Sequence, residues 1–262
     1  MRTQGNLRIV SLNDGYEQAF WSHVGQDPLD YYFFILDLKE QPEQTKILLA
    51  MEESRVQGLM LTYADRIVQL RGTRKAVEKL LDSVSLERVE LQAPPDCEDL
   101  VLKKFTPLIR YDLVLMTLKK GDEKLQIKDD TMRLGSEDAE EVAGLMRKAD
   151  PAWWGNITAA DRKDSLKTTY YLGIRREGKI VSMGNARFDS VGSNIGVIAT
   201  DERFRNMGYA TTIVSSLVQE ILNRSPPALI HVLKHNAPAV RVYSKVGYKQ
   251  FRQYLLVRGQ KI

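Results

Sequence analysis

A short segment in the second half of the chain combines an arginine, a glycine and small residues at a spacing that suits an anion. Residues 195–204 form an apolar, strand-like run and a turn, and Arg205, Gly208 and Ala210 follow in an R-x-x-G-x-A pattern before a helix predicted over about 211–223. Free backbone N–H groups at a helix N-terminus, aided by the helix dipole, attract negative charge. Glycine permits close backbone approach, and alanine is too small to block a phosphate. The segment predicts a pyrophosphate cradle; the alternative is an ordinary strand-to-helix turn with a packing glycine.

Two other phosphate-binding motifs do not fit this segment. The dinucleotide fingerprint needs three glycines at another spacing and an acidic residue about 20 positions later. The P-loop needs Gly-Lys-Ser/Thr, which the segment lacks.

A second segment, residues 229–248, has the pattern of a strand followed by a capped helix. Asn236 follows an apolar strand and is placed to cap a helix, Pro238 suits the first turn, and Gly247 stands where a glycine ends a helix. Tyr243 lies seven residues after Asn236, so the two share one helix face.

Together the two segments resemble the coenzyme A motif and the following N-x-x-A-x-x-x-Y-x-x-x-G-[FY] motif of the Gcn5-related N-acetyltransferases (GNATs), over residues 125–262. The resemblance implies a mixed α/β fold with a splayed sheet and acetyl-CoA as co-substrate. The pantetheine arm would lie between the strand ending at Thr200 and the strand ending at Lys234. Glu202 departs from the usual proline, and Ala210 from the commoner glycine.

The resemblance also implies roles for individual residues. Asn236 would bond the pantetheine arm, and Tyr243 matches the general acid. Main-chain bonds to pantetheine would come from Ile198, Ala199 and Thr200. The pyrophosphate would be held by Arg205, Asn206, Met207, Gly208, Tyr209, Ala210 and Thr211.

Amine acetylation also needs a way to remove a proton from the acceptor. An alkylamine of pKa about 10.4 is about 3.4 units from deprotonation at pH 7, a cost of about 4.6 kcal/mol. His231, five residues before Asn236, stands where the family often places a glutamate, and it is a candidate base. The alternatives are a histidine that fills a strand position or touches pantetheine. Tyr243 would protonate the leaving thiolate, unless it is only a core tyrosine, and a main-chain N–H near Ile198 would stabilise the oxyanion.

Hairpins and helices must position these groups, and their order occurs twice in the chain. Strand-like runs at 46–50 and 56–63 repeat at 170–174 and 180–188, each followed by a third strand, a basic turn and an amphipathic helix. Arg71 aligns with Arg205 and Phe105 with Tyr248. We therefore predict two tandem GNAT-like domains, split at the charged stretch 119–124; the alternative is that any two mixed α/β domains share such elements.

The predicted domains are 1–120, a degenerate copy, and 125–262, the catalytic domain. The turn at 70–76 of the first copy lacks R-x-x-G-x-G/A, and no Asn/Tyr motif follows it. We therefore expect one cofactor site per chain. Trp153 and Trp154, in the connection that borders the acceptor groove in the family, are either acceptor wall or core.

Composition excludes several other classes of protein. Of 262 residues, 43% are hydrophobic, the net charge is +4, and the single cysteine, Cys97, allows no intrachain disulfide. Neither a leader in residues 1–14 nor a membrane-spanning run is seen, so a cytoplasmic location is expected. The histidines His23, His231 and His235 suggest no metal site, and no basic stripe suggests nucleic acid.

The sequence thus favours an acetyl-CoA-dependent N-acetyltransferase. It would act by direct attack in a ternary complex, without metal, on an amine of a small molecule or protein. The alternative is a catalytically silent acetyl-CoA-binding sensor or scaffold. The acceptor and the oligomeric state stay open.

Overall fold

A computed structural model describes residues 6–262, apart from the side chain of residue 152. Its residues divide into two compact units. Unit 1 contains the described residues up to Val114, with Leu233–His235 and Arg252–Ile262, and unit 2 contains Leu115–Val232 and Asn236–Phe251. Among the described residues no helix is long and apolar enough to cross a bilayer. The expectation about residues 1–14 falls partly on residues 1–5, which lie outside this description.

The regular elements follow the order that the sequence predicts. The strands are β1 (Arg8–Ser11), β2 (Thr45–Glu52), β3 (Arg55–Tyr63), β4 (Ile67–Gly72), β5 (Arg88–Ala93), β6 (Phe105–Leu118), β7 (Met132–Arg133), β8 (Tyr170–Arg176), β9 (Lys179–Arg187), β10 (Ser193–Thr200), β11 (Ala228–Leu233) and β12 (Lys249–Lys261). The helices are α1 (Glu17–Val24), α2 (Tyr32–Glu40), α3 (Arg74–Leu81), α4 (Glu98–Leu102), α5 (Ala139–Ala149), α6 (Pro151–Trp154), α7 (Ala159–Thr168), α8 (Tyr209–Arg224) and α9 (Ala237–Val246).

The two units contain the same mixed arrangement of strands. In unit 1, β1 to β4 are antiparallel neighbours and β5 runs parallel to β4. In unit 2, β7 to β10 are antiparallel neighbours and β11 runs parallel to β10. The predicted α/β class, with a mixed sheet and flanking helices in each unit, is confirmed.

The last strand of the chain belongs to unit 1. The predicted catalytic domain, residues 125–262, includes this strand, but β12 pairs antiparallel with β5, from Leu255 opposite Ala93 to Gln260 opposite Arg88. Leu255 and Val257 join the core of unit 1 beside α3. Residues 115–118 of β6, in turn, are counted in unit 2. The absence of a cofactor site from the first half stays a prediction.

One sequence alignment between the halves is wrong. Arg71 lies inside β4 and its side chain is only 4% exposed, whereas Arg205 is an exposed loop residue. Arg71 Nε donates to Asp30 Oδ1 at 3.1 Å, and its guanidinium lies 3.9 Å from the ring centre of Tyr254, whose hydroxyl donates to the same carboxylate. Arg71 is therefore part of the polar core of unit 1, where hydrogen bonds and a ring face compensate its charge.

Candidate cofactor and active site

The candidate site in unit 2 begins where β10 and β11 part. Their parallel pairing covers Ser193–Ile195 opposite Ala228–Ile230, and among the described residues their register extends no further. Beyond it, Ile198–Thr200 stay paired with β9 on the other side, opposite Gly184–Ser182. The β10 edge that faces β11 is therefore available for main-chain hydrogen bonds to an extended ligand.

The loop after β10 is shaped by its own side chains. Thr200 Oγ1 lies 2.9 Å from Ser182 Oγ, and the Asp201 carboxylate accepts from the Arg203 backbone N–H and guanidinium, each at 3.1 Å. The bond from Arg203 holds the pKa of Asp201 below its ordinary value. These contacts fix the start of the loop and leave its later residues exposed.

Two residues of the cradle have left-handed backbone. Asn206 has φ +64° and Gly208 has φ +88°, and a Cβ added at Gly208 meets nothing within 4 Å. Residues 205–208 are exposed. Gly208 stands at the N-cap position of α8 and offers no side-chain acceptor, so the first N–H groups of this sixteen-residue helix stay available. A left-handed turn before a helix N-terminus is a backbone arrangement that binds anions.

The helix behind the cradle is anchored in the core. Buried α8 residues include Ile213, Val214, Leu217 and Val218. Gly184 of β9 leaves room for this packing, because a Cβ there would lie 2.8 Å from Ile213 Cγ2 of α8. The helix begins at Tyr209, two residues before the predicted start.

Arg176, at the end of β8, lies beside the cradle and was missed in the sequence analysis. Its Nε donates to the Tyr209 hydroxyl at 3.1 Å, and its guanidinium lies 5.0 Å from the centre of that ring. Asp129 forms an ion pair with the same guanidinium. Arg176 lies within the hairpin turn predicted between residues 174 and 180, and nothing local indicates that it reaches α8.

The second motif folds as its sequence predicts. Asn236 Oδ1 accepts from the Ala239 N–H at 3.2 Å and caps α9, Pro238 stands in the first turn, and Gly247 ends the helix with φ +112°. The Asn236 cap uses the carbonyl oxygen, which leaves the amide group as the donor for a ligand. Asn236 itself is exposed.

Tyr243 lies on the buried face of α9. Its side chain is 6% exposed, and its ring centre is 6.0 Å from that of Tyr248. Burial raises the pKa of Tyr243 well above its ordinary value of about 10. The phenol therefore stays protonated at neutral and mildly alkaline pH, as a proton donor must.

His231 is the first residue of β11 beyond the paired stretch. Ile230 is the last residue opposite β10, so His231 stands where the two strands begin to part. Its side chain is half-buried. The structure thus brings His231 to the same end of the strands as Ile198–Thr200; its role as a base stays a prediction.

A cavity of about 360 Å³ lies beside α6 and α7, and its lining includes Trp153, Trp154, Asp161 and Arg162. Trp154 also packs against the core of unit 2. In residues 6–262, no group of three or more His, Cys, Asp or Glu side chains is placed to hold a metal ion.

In unit 1, the turn before α3 corresponds to the cradle, but one of the first helical N–H groups is already bonded to a side chain. Thr73 caps α3, and its hydroxyl accepts from the Ala76 N–H at 3.3 Å. Arg74 is held by Asp99 through two hydrogen bonds, at 2.8 and 2.6 Å. This helix start carries its own side-chain acceptor.

Comparison with known proteins agrees with the geometry. Residues 171–257 match the family model described as FR47-like protein. The comparison with curated proteins gives no match.

Solved structures match the whole chain. A Drosophila structural-genomics protein is 13% identical, with a TM-score of 0.68, and covers 97% of this chain and 98% of its own. A Gcn5-related N-acetyltransferase from Sphaerobacter thermophilus is 13% identical, with a TM-score of 0.61, and covers 97% and 95%. A tandem GNAT protein from the clavulanic acid biosynthesis pathway is 10% identical, with a TM-score of 0.60, and covers 98% of each chain. These structures show the fold that the two motifs predict: the chain has the Gcn5-related N-acetyltransferase fold, as a tandem GNAT protein does, and residues 171–257 match the FR47-like model.

Proposed function

We propose that the protein is an acetyl-CoA-dependent N-acetyltransferase with one active site, in unit 2. The observation that carries this proposal is the order of three features along the chain. The pairing of β10 with β11 ends at Ile195. An exposed loop with left-handed backbone at Asn206 and Gly208 then leads to α8, whose first N–H groups have no side-chain acceptor from the N-cap residue. A thioester of coenzyme A has the matching parts, an extended amide-containing arm and a pyrophosphate.

The residues present fit this co-substrate. Main-chain groups of Ile198–Thr200 would bond the pantetheine amides, and the Asn236 amide would donate to the same arm. Asn206–Thr211 would surround the pyrophosphate, with the Arg205 charge at the mouth. Gly208 supports this fit, because its left-handed backbone and the open space at its missing Cβ leave room for an anion at the start of α8.

The chemistry proposed is direct attack of a neutral amine on the thioester. His231, directly or through water, would accept the amine proton. A backbone N–H near Ile198 would stabilise the developing oxyanion. Tyr243 would donate its proton to the departing thiolate, whose pKa is about 8.5. Since burial raises the Tyr243 pKa, this donation needs the thiolate to form close to the phenol, so that proton transfer and C–S cleavage are coupled.

Thiol release from acetyl-CoA in the presence of amines tests the proposal. The panel should contain small primary amines, amino acids, polyamines and a lysine-containing peptide, with mass spectrometry of the acetylated product. We expect amine-dependent release with at least one member. Tight binding of acetyl-CoA without turnover on any amine would instead indicate a sensor, and failure to bind acetyl-CoA would refute the proposal.

A further inference from the structure

A β-bulge interrupts the pairing of β9 with β10 at the edge of the candidate site. Ile195 lies opposite Ala186, but Ile198 lies opposite Gly184, so Gly196 and Val197 together face one residue, Asn185. Such an extra residue leaves the ladder locally disrupted and needs a partner for its backbone groups.

The side chain of Asn185 supplies that partner. Its Oδ1 accepts from the Val197 N–H at 2.8 Å, which compensates an amide that the bulge removes from the ladder. Only a glycine leaves room for this contact at the next position, because a Cβ on Gly196 would lie 2.5 Å from Asn185 Oδ1. Asn185 and Gly196 thus form a matched pair across the bulge.

The bulge lies directly after the last β10 residue that pairs with β11. Ile195 pairs with Ile230, and Gly196 begins the bulge. In a strand, the backbone groups of alternate residues face opposite neighbours. One inserted residue therefore decides which N–H and C=O groups of Ile198–Thr200 turn toward β9 and which turn toward the open edge.

Unit 1 gives an internal comparison. Its corresponding pair, β3 with β4, runs in unbroken register from Gly58 opposite Gly72 to Tyr63 opposite Ile67. The bulge therefore occurs in the copy that carries the cofactor motif, whereas the ladder is regular in the copy without it. This difference favours a role in the site over a general requirement of the fold.

We propose that Asn185 is a positioning residue for acetyl transfer: its carbonyl oxygen holds the bulge in the register that aims the Ile198 N–H at the reacting carbonyl. The inference rests on the proposed function. Asn185 is not a proton donor or acceptor in the reaction, and it acts through the backbone of β10. Its loss should therefore affect turnover more than the affinity for coenzyme A, much of which comes from the pyrophosphate cradle.

Three variants test this role by amine-dependent thiol release and by calorimetric titration with coenzyme A. Asn185→Leu keeps the side-chain shape and removes the acceptor; we expect kcat to fall at least tenfold with the coenzyme A Kd within about threefold. Asn185→Asp keeps an acceptor oxygen and should retain kcat within a few-fold. Asn194→Leu is the matched control, because the Asn194 carboxamide oxygen is buried on β10 without a hydrogen-bond partner among the described residues, and its kcat should not change.

Hydrogen exchange gives a second measurement, and its wild-type arm does not depend on how any variant folds. The Val197 amide should be protected in the wild-type protein and should lose protection in Gly196→Ala, whose added Cβ displaces the Asn185 oxygen. Unchanged kcat in Asn185→Leu, equal losses in the Leu and Asp variants, or a rapidly exchanging wild-type Val197 amide would each overturn the proposal. If the wild-type protein neither binds coenzyme A nor releases thiol, but its Val197 amide is protected, the proposed function is wrong. The contact between Asn185 and the Val197 N–H is then a structural feature only.

Discussion

Replacing Gly208 by glutamate is the most informative single change in the cradle. Gly208 has φ +88°, and a Cβ added there meets no protein atom within 4 Å. The backbone strain of an L residue in this region is about 1–2 kcal/mol. This strain is present in the free and the bound protein alike. A larger loss of coenzyme A affinity therefore reflects repulsion between the new carboxylate and the phosphates of the ligand.

Coulomb's law gives the size of that effect. A carboxylate about 6 Å from one phosphate charge is repelled by about 0.7 kcal/mol in bulk water and about 2.8 kcal/mol at an effective dielectric constant of 20. With about 1.4 kcal/mol per tenfold change, each phosphate charge lowers the affinity by roughly 3-fold to 100-fold. Two charges in the pyrophosphate place the expected loss near the upper end, and added salt should reduce it.

Isothermal calorimetry with coenzyme A measures this loss, and the chain offers a matched control. Gly15, in unit 1, also has positive φ (+89°) and nothing within 4 Å of an added Cβ. Gly15→Glu introduces the same strain and charge into the unit that carries no part of the cradle, so it should bind coenzyme A like the wild-type protein. Equal affinities in Gly208→Glu and Gly15→Glu would refute the cradle.

Three further predictions concern the acid, the core of unit 1 and alkaline stability. Tyr243→Phe should lower kcat about 10-fold to 100-fold and keep the coenzyme A Kd within a few-fold. Tyr248→Phe is the control and should leave kcat unchanged, because the Tyr248 hydroxyl is buried without a hydrogen-bond partner among the described residues. Equal kcat in the wild-type protein and both variants would contradict the role of Tyr243 as the acid. Arg71→Ala removes the nearest cation from Asp30 and leaves it the Tyr254 hydroxyl and Arg252, whose Nε is 4.0 Å from Oδ2. The free energy of unfolding in urea titrations should fall by about 3 kcal/mol, the lower end for a broken buried pair, and a loss under about 1 kcal/mol would contradict the role of this pair. Burial raises the pKa of several tyrosines in the folded protein, that of Tyr31 to about 12. Because the unfolded chain loses its phenol protons first, the free energy of unfolding should fall as the pH rises above about 10. A free energy of unfolding that stays constant from pH 8 to 11 would contradict this.

The local features of the site were predictable because their signals are local. The cap at Asn236, the helix end at Gly247 and the loop around Gly208 each follow from a residue type at a fixed offset from an apolar run. The repeated hairpins were predictable for the same reason, since short charged turns separate apolar strands. The sequence could therefore indicate the order of elements in both units.

The long-range features were not predictable. The pairing of β12 with β5 joins residues that are far apart in the chain, and no pattern in Lys249–Lys261 selects that neighbour. Arg71 was aligned with a loop arginine because its neighbours are also basic, and only tertiary contact with Asp30 shows that it is buried. Asn185 gives no signal, since a single polar residue in a strand is common and its partner is a backbone amide on another strand.

The number of acetyl-CoA molecules that one intact chain binds tests the central claim most directly. Calorimetric titration of the 262-residue chain should give one site per chain. At α8, Gly208 has left-handed backbone and no side chain that accepts from the first N–H groups, whereas the start of α3 is capped by Thr73. A stoichiometry near two would show that unit 1 also binds the co-substrate, and an absence of binding at millimolar acetyl-CoA would contradict the account as a whole.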